Sequence, residues 1–383
     1  MQQENRYMQA ANELNLLAPS NSAGVAYWKP AGLKLYENLK SFIRKHHERR
    51  GYLEVKSPSI VNSELFVQSG HFDKYKENMF YVKSQEDSNY VLRPMSCPNH
   101  IVIYGSELRS YKNLPMPIFE FGEVFRNEPS GSLQVLFRMR QFCQDDSHVF
   151  VNQENLSQSI ANYLLMAREV YSELGFSDVQ YDISLRPKER FGSEDDWDRA
   201  ESALKLSCAE HGIAFNELPG EGAFYGPKIE LKVKDKLGRS WQLGTLQLDY
   251  ILPGRFELEY INENGKKDIP IILHHAVLGS LERMVGILLE SFGVNLPEFL
   301  HPYPSKVVPV SAKSIEYANS LAHRLGSSAD NSDEPLGKKL AFWRSKGVPN
   351  IYVVGEKEAE NNLMSGEFKA TLNQGKNQKQ VIV

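Results

Sequence analysis

Cysteine is scarce in this chain. Cys97, Cys143 and Cys208 are the only three in 383 residues. That excludes a disulfide framework and favours a reducing compartment. Long hydrophobic runs are missing as well. No stretch approaches the ~18 apolar residues of a membrane-spanning helix. The polar start, MQQENRYMQAANELNLL, has no apolar signal-peptide core. The expectation is a cytoplasmic protein. Charge of one sign is also missing: the net charge is −4, so no overall basic field advertises a nucleic acid, and such a partner would need a local patch. Repeats and low-complexity tracts are absent. A hydrophobic content of 41% and a charged content of 24% are those of an ordinary folded chain. The length suffices for two or three domains with a substantial core.

What is present concentrates between Phe121 and Phe150, FGEVFRNEPSGSLQVLFRMRQFCQDDSHVF. Glu120–Arg126 and Leu136–Phe142 alternate roughly at period two, with a turn at Glu128–Ser132. The spacing predicts an antiparallel hairpin presenting Arg126, Glu128, Arg138 and Arg140. Arginine forks suit phosphate, because two parallel N–H donors match two phosphate oxygens. A solvated, salt-bridged hairpin fits the composition equally well.

Residues 30–50 read as a helix with a basic end, closed by Gly51, and Tyr52–Ser57 as a strand stopped by Pro58. A loop carries Ser69, Gly70 and His71, and a turn carries Met95 and Cys97. A lone loop histidine is usually a surface residue and a lone cysteine usually core filler. Helices are expected at 155–174 and 195–211, with a strand at 179–185 between them. The glycine-rich turn Gly220–Lys228 brings Tyr225 and Lys228 together. Strands follow at 228–234, 240–250, 256–260 and 269–275, then a helix at 276–292. Antiparallel strands with an Asn264-Gly265 turn exclude a doubly wound parallel sheet. The proline-rich Leu296–Pro304 sets a boundary near 300. The tail reads as a small α/β unit with strands at 305–309 and 350–354, helices at 314–325 and 337–346, and a last hairpin at Lys369–Gly375. It has 11 Lys plus Arg against 8 Asp plus Glu, a mild bias toward RNA contact.

Phe125-Arg126-Asn127-Glu128, a loop, then Arg138 and Phe142 resembles motif 2 of the class II aminoacyl-tRNA synthetases. Arg140-Gln-Phe-Cys-Gln-Asp-Asp-Ser-His148 is similar to the threonyl-tRNA synthetase version. The helix, strand and Pro58 resemble motif 1, the dimer interface of that class, although an ordinary αβ unit explains them too. Gly279-Ser280-Leu-Glu-Arg283 resembles motif 3. The resemblance spans essentially the whole chain. It implies an α+β fold: an antiparallel six- to seven-stranded catalytic sheet flanked by helices over 1–300, and a shortened anticodon-binding-like α/β domain over 301–383.

The resemblance also assigns roles. Cys97, His148 and His274 match zinc ligands, three protein donors with an open position; the metal takes the amino group and hydroxyl of threonine. Arg126 contacts the α-phosphate of ATP, Glu128 the adenine amino group, and Phe142 stacks on adenine. Arg138 and Arg283 hold the distal phosphates, and Gln242, Lys228 and Mg2+ complete the ATP site. Met95, Gln144, Asp146, Tyr225, Gln247 and Ser280 line the threonine pocket. His71 lies near the point where the tRNA terminus is acylated. The activity implied is that of a threonine--tRNA ligase: activation of L-threonine by ATP and transfer to tRNA(Thr), in a homodimer.

Some positions depart from the family pattern: Gln141 and Asn99 for glycine, Cys143 for threonine, Leu243 for a smaller residue, and His275 for arginine. Only Arg324 and Arg344 remain as arginines in the tail. Two other readings therefore stay open: a paralogue that acylates a carrier protein, and an inactive regulatory paralogue. The catalytic domain is expected to start within about thirty residues of Met1, so either an N-terminal editing region has been truncated or this is a stand-alone form, in which case any editing of seryl-tRNA acts in trans.

Overall fold

Leu35, Leu39, Phe42 and Ile43 fall on one face of α1 (Pro30–Glu48), and all four are buried. The computed structural model describes residues 6–83, 89–235, 238–361 and 379–382. Among them no helix is long and apolar enough to cross a membrane. The chain divides into two compact units. One is Ser20–Ala26 with Lys40–Gly286. The other is Met1–Pro19, Tyr27–Leu39 and Ile287–Val383.

The larger unit is built on one sheet. Its strands are β1 (Leu53–Glu54), β2 (Met116–Phe125), β3 (Gln141–Val151), β4 (Val179–Ser184), β5 (Phe215–Leu218), β6 (Lys228–Lys234), β7 (Ser240–Asp249) and β8 (Ile271–Ser280). The order is β5-β4-β6-β7-β8-β3-β2-β1. The six inner strands are antiparallel, as expected. The short edge strands β1 and β5 add to them in parallel, making eight. Helices α2 (Glu64–Gln68), α3 (His71–Tyr75), α4 (Cys97–Gly105), α5 (Leu156–Glu173) and α6 (Glu194–Glu210) belong to the same unit, and α7 (Leu281–Phe292) follows β8. Helix α5 covers β8 and β3, and the hydroxyls of Tyr163 and Tyr171 donate to the Ala276 and Val277 carbonyls at 3.3 and 2.9 Å.

Three local expectations are corrected. The second arm of the motif 2 hairpin starts at Gln141, not Leu136. The intervening loop holds a 3-10 turn at Ser130–Ser132, and Leu136 adopts a left-handed φ of 66° that no strand accommodates. Residues 256–259 do not form a strand, and only Tyr260, with Ile261, does. Asp249 Oδ1 accepts the Ile251 and Leu252 amides at 2.7 and 2.9 Å and starts a short helix, Leu252–Arg255, instead. Helix α7 begins at Leu281 rather than Ala276. The register shifts between Ala276 and Ser280, and buried Asp145 collects the amides of Val277, Leu278 and Gly279 at 2.9, 3.0 and 2.9 Å, which holds them out of the helix.

In the tail, β9 (Ser305–Pro309), β10 (Asn350–Val354) and β11 (Lys379–Ile382) form a parallel sheet. Helices α8 (Ile315–Arg324) and α9 (Leu336–Ser345) supply Ala318, Leu321 and Leu340 to its core. The hairpin expected at Lys369–Gly375 lies outside the described residues.

A buried ion pair ties the larger unit together. Arg93 Nη1 lies 2.7 Å from Glu120 Oε1, and Ser57 donates its amide and hydroxyl to the same carboxylate at 3.1 and 2.7 Å. Burial opposes charge on Glu120, but contacts with His100, then Arg93 and Ser57, outweigh it and bring the carboxyl down to about 2. Because the folded value is depressed, this contribution to stability is present above the normal carboxyl value of 4.5 and is lost as pH falls toward 2. Glu120→Gln strands a buried guanidinium and is expected to cost ~3–5 kcal/mol, read by urea unfolding at neutral pH. A loss below ~1 kcal/mol would refute the coupling.

Candidate functional site

Sheet register gathers the site. On β3, Gln144, Asp146 and His148 alternate onto one face. His274 of β8 pairs with His148, Gln247 of β7 with His274, and Lys228 of β6 with Gln247. One line across the sheet therefore carries Lys228, Gln247, His274 and His148. Cys97, the first residue of α4, joins them. One donor atom from each of Cys97, His148 and His274 lies within 4.8 Å of the others, and all three residues are buried.

The partners of the two imidazoles fix which nitrogens face inward. Asp249 Oδ2 lies 2.8 Å from His274 Nε2. A carboxylate only accepts, so that nitrogen carries the hydrogen and Nδ1 keeps a lone pair. His148 Nδ1 lies 2.7 Å from His100 Nδ1, and His100 Nε2 is 3.2 Å from Glu120. The opposite atoms, His274 Nδ1 and His148 Nε2, are buried with no hydrogen-bond partner. Two unpartnered imidazole nitrogens beside a buried thiol fit a zinc ion, and their outer partners have the arrangement that orients metal-bound histidines. Burial first, and then Asp146, pushes the Cys97 thiol well up. A dication would invert that preference. Asp249→Asn is expected to weaken zinc binding ~10–100-fold, measured by chelator competition; unchanged affinity would remove Asp249 from this role.

His275 points to the other face of β8. There it meets the Tyr52 hydroxyl at 2.7 Å and lies beside the His47 ring, so only one of the adjacent histidines reaches the cluster. The departures Gln141 and Asn99 are accommodated by hydrogen bonds, to Glu123 in one case and to Ser57 and Pro58 in the other.

Two cavities of 390 Å³ each open at this face. The first is lined by Cys97 and His274 together with His71, Met95, Gln144, Asp146, Tyr225, Lys228 and Gln247. The Tyr225 hydroxyl donates a short hydrogen bond to Gln247, and the Tyr225 ring lies 5.2 Å from that of His274. Burial, the largest influence, raises the Asp146 carboxyl. His71 is fully buried and lowered to about 3, first by desolvation and then by His274, so it is neutral at working pH. Lys228 lines this cavity rather than the second, and its ammonium pairs with Glu230 at 2.5 Å.

The second cavity is lined by Glu128, Arg138, Phe142, Gln242, Ser280 and Arg283. Ser280 lies here rather than in the first, with its hydroxyl 3.0 Å from Glu282. Arg283 is held by the carbonyls of Phe137 and Gln242, each at 2.9 Å. Burial first, then Arg126 and Arg138, lowers its pKa, as expected where guanidinium groups converge. Glu128 accepts from Arg138 Nε at 3.0 Å. Arg126 lies over the Phe142 ring at 5.2 Å and lines both cavities. Clustered guanidiniums beside one carboxylate and an aromatic face suit a purine polyphosphate.

Sequence reasoning missed Asp249, His100 and Asp145. Only His100 left a signal: it falls one turn after Cys97 on α4 and so shares a helix face with it.

Residues 80–292 match the family described as "tRNA synthetase class II core domain (G, H, P, S and T)", and residues 305–378 match "Anticodon binding domain". The fold and the paired cavities define a class II tRNA synthetase core. A threonine--tRNA ligase of Marinobacter nauticus is 41% identical over 347 residues, covering 89% of this chain and 54% of its own length. One from Ehrlichia chaffeensis is 42% identical over 359 residues, 92% of this chain and 57% of its own length. The chain thus spans about half the length of the curated relatives it matches. A crystal structure of the RNA binding domain of threonyl-tRNA synthetase from Cryptosporidium parvum Iowa II superposes with a TM-score of 0.89 at 38% identity, covering 93% of this chain and 90% of that one. The chain belongs to the threonyl-tRNA synthetase family. A Giardia lamblia prolyl-tRNA synthetase in complex with prolyl-adenylate, at 18% identity and a TM-score of 0.72, shares the fold alone.

Proposed function

We propose that this chain activates L-threonine with ATP to threonyl-adenylate and transfers the threonyl group to the 3′ end of tRNA(Thr). The observation that carries the proposal is the junction at Arg126. On one side lies a cavity lined by Cys97, His274 and the Asp146 carboxyl, with His148 beside the first two. On the other lies a cavity walled by arginines. An amino acid in the first and ATP in the second would meet at the Arg126 guanidinium.

The threonine carboxylate attacks the α-phosphorus, and the bond to pyrophosphate breaks. Positioning and charge neutralisation are what the protein must supply. Arg126 faces the α-phosphate, Arg138 and Arg283 the distal phosphates, and Phe142 and Glu128 the adenine, with Gln242 alongside and Mg2+ accompanying ATP. Asp146 offsets the amino-group charge, while Met95, Gln144, Tyr225 and Gln247 shape the pocket. Zinc held by Cys97, His148 and His274 would supply a Lewis-acid anchor for the amino nitrogen and side-chain oxygen. Valine has no such oxygen, and a shape pocket alone separates near-isosteres only ~10–200-fold. Serine keeps both groups. Residues 1–300 are assigned as the catalytic domain, 301–383 as the anticodon-binding-like domain, and α1 with β1 as the homodimer contact. The cytoplasm is the expected site of action.

The test is amino-acid-dependent ATP–pyrophosphate exchange with threonine, serine and valine, with and without a chelator, followed by charging of tRNA. Threonine-dependent, chelator-sensitive exchange that rejects valine is expected. No exchange with any amino acid would overturn the proposal. The tail's two arginines favour one further reading, transfer to a carrier-protein thiol, and loading of carrier in place of tRNA would establish it.

A further inference from the structure

Two short helices, α2 and α3, are joined by Ser69 and Gly70. Gly70 adopts a left-handed φ of 79°, and a Cβ there would sit 2.5 Å from the Phe191 ring. This turn places Ser69 and His71, both fully buried, side by side. The Ser69 hydroxyl donates to the Phe66 carbonyl at 3.1 Å, one of the carbonyls that a helix end leaves without an intrahelical partner. A serine hydroxyl has one hydrogen. With that hydrogen engaged, its oxygen accepts from His71 Nδ1, 2.8 Å away. His71 Nε2 is buried without a partner, and the residue lines the first cavity. The rings of Phe224 and Tyr225, 5.1 and 5.6 Å away, hold the imidazole edge-on.

We propose that Ser69 is a positioning residue that locks His71 in its Nδ1–H tautomer, so that Nε2 presents a lone pair to the amino-acid cavity as a proton acceptor for acyl transfer. The opposite tautomer would leave both a buried N–H and the Phe66 carbonyl unpaired, a costly exchange. The role rests on the proposed function. When the acceptor hydroxyl oxygen bonds to the acyl carbon, the bond to the AMP phosphate oxygen breaks. AMP leaves with the electron pair, and the hydroxyl proton passes to Nε2.

The imidazole 15N shifts of His71 in the full chain, identified with His71→Gln, test the lock directly and without any variant of Ser69. An Nδ1–H pattern is expected, and an Nε2–H pattern overturns the proposal. Ser69→Ala is expected to mix the tautomers and to slow single-turnover transfer ~10–100-fold, more than it slows exchange, with recovery in Ser69→Thr. Unchanged tautomer and transfer in Ser69→Ala also overturn it. An Nδ1–H wild type that lacks exchange with every amino acid would instead sink the functional reading and leave the lock standing.

Discussion

Cys97→Ala is expected to abolish stoichiometric zinc and to lower threonine-dependent exchange by ~10³-fold or more. The expected size follows from what the site must do. A three-donor site that loses its thiolate keeps two neutral imidazoles, too few to hold the ion against water. Recognition of the substrate hydroxyl then falls back on shape, while a site built to pair a polar substrate group discriminates by ~10⁴–10⁵. Zinc content by atomic absorption and exchange kinetics on the same preparation read both halves. The variant should remain folded, because the change removes only a sulfur atom from one buried side chain at the start of α4. Active, metal-free wild-type protein would sink the zinc assignment outright, and so would full activity in Cys97→Ala.

Arg126→Ala removes the one charged group among the described residues that lines both cavities. Loss of a preorganised group facing developing phosphate charge costs ~10²–10³ in kcat. The effect should fall on kcat more than on the KM for threonine, since the remaining walls of each cavity are intact. Arg126→Lys should recover little, because an ammonium does not reproduce the guanidinium fork or its contact with the Phe142 ring. An Arg126→Ala enzyme within threefold of wild type would place the α-phosphate elsewhere. That conclusion would also undo the reading of the two cavities as one reaction site.

Much of this was legible in one dimension. Pairs such as Arg126 and Glu128 on one arm and Arg138 and Phe142 on the other are local patterns, whereas the widely spaced Cys97, His148 and His274 stood out only through the family resemblance. Charge beside aromatics is conspicuous in sequence because it has no business in an ordinary core. Helix α1, strands β4, β6 and β7, and helices α5 and α6 also followed from apolar periodicity. The misreadings share one cause. Leu136–Arg140, Phe256–Tyr260 and Ala276–Ser280 each looked regular by local pattern, yet each is controlled by a partner or a backbone conformation that the pattern does not carry. Asp145 reaches across more than a hundred residues of chain to the amides of 277–279.

Residue type and near-neighbour spacing by themselves determined the antiparallel sheet and the arginine-bearing hairpin, whereas the roles of those arginines and the three widely spaced candidate ligands were implied by the family resemblance. Tertiary structure alone decided which nitrogen of each histidine faces the cluster and that Arg126 joins two cavities, and it turns His274, the residue the resemblance had already singled out, rather than His275 toward Cys97. Those outcomes depend on strand register and on the hydrogen-bond partners Asp249, His100 and Ser69. A pairing between distant strands is set by the packing of the whole sheet, not by any local stretch of chain.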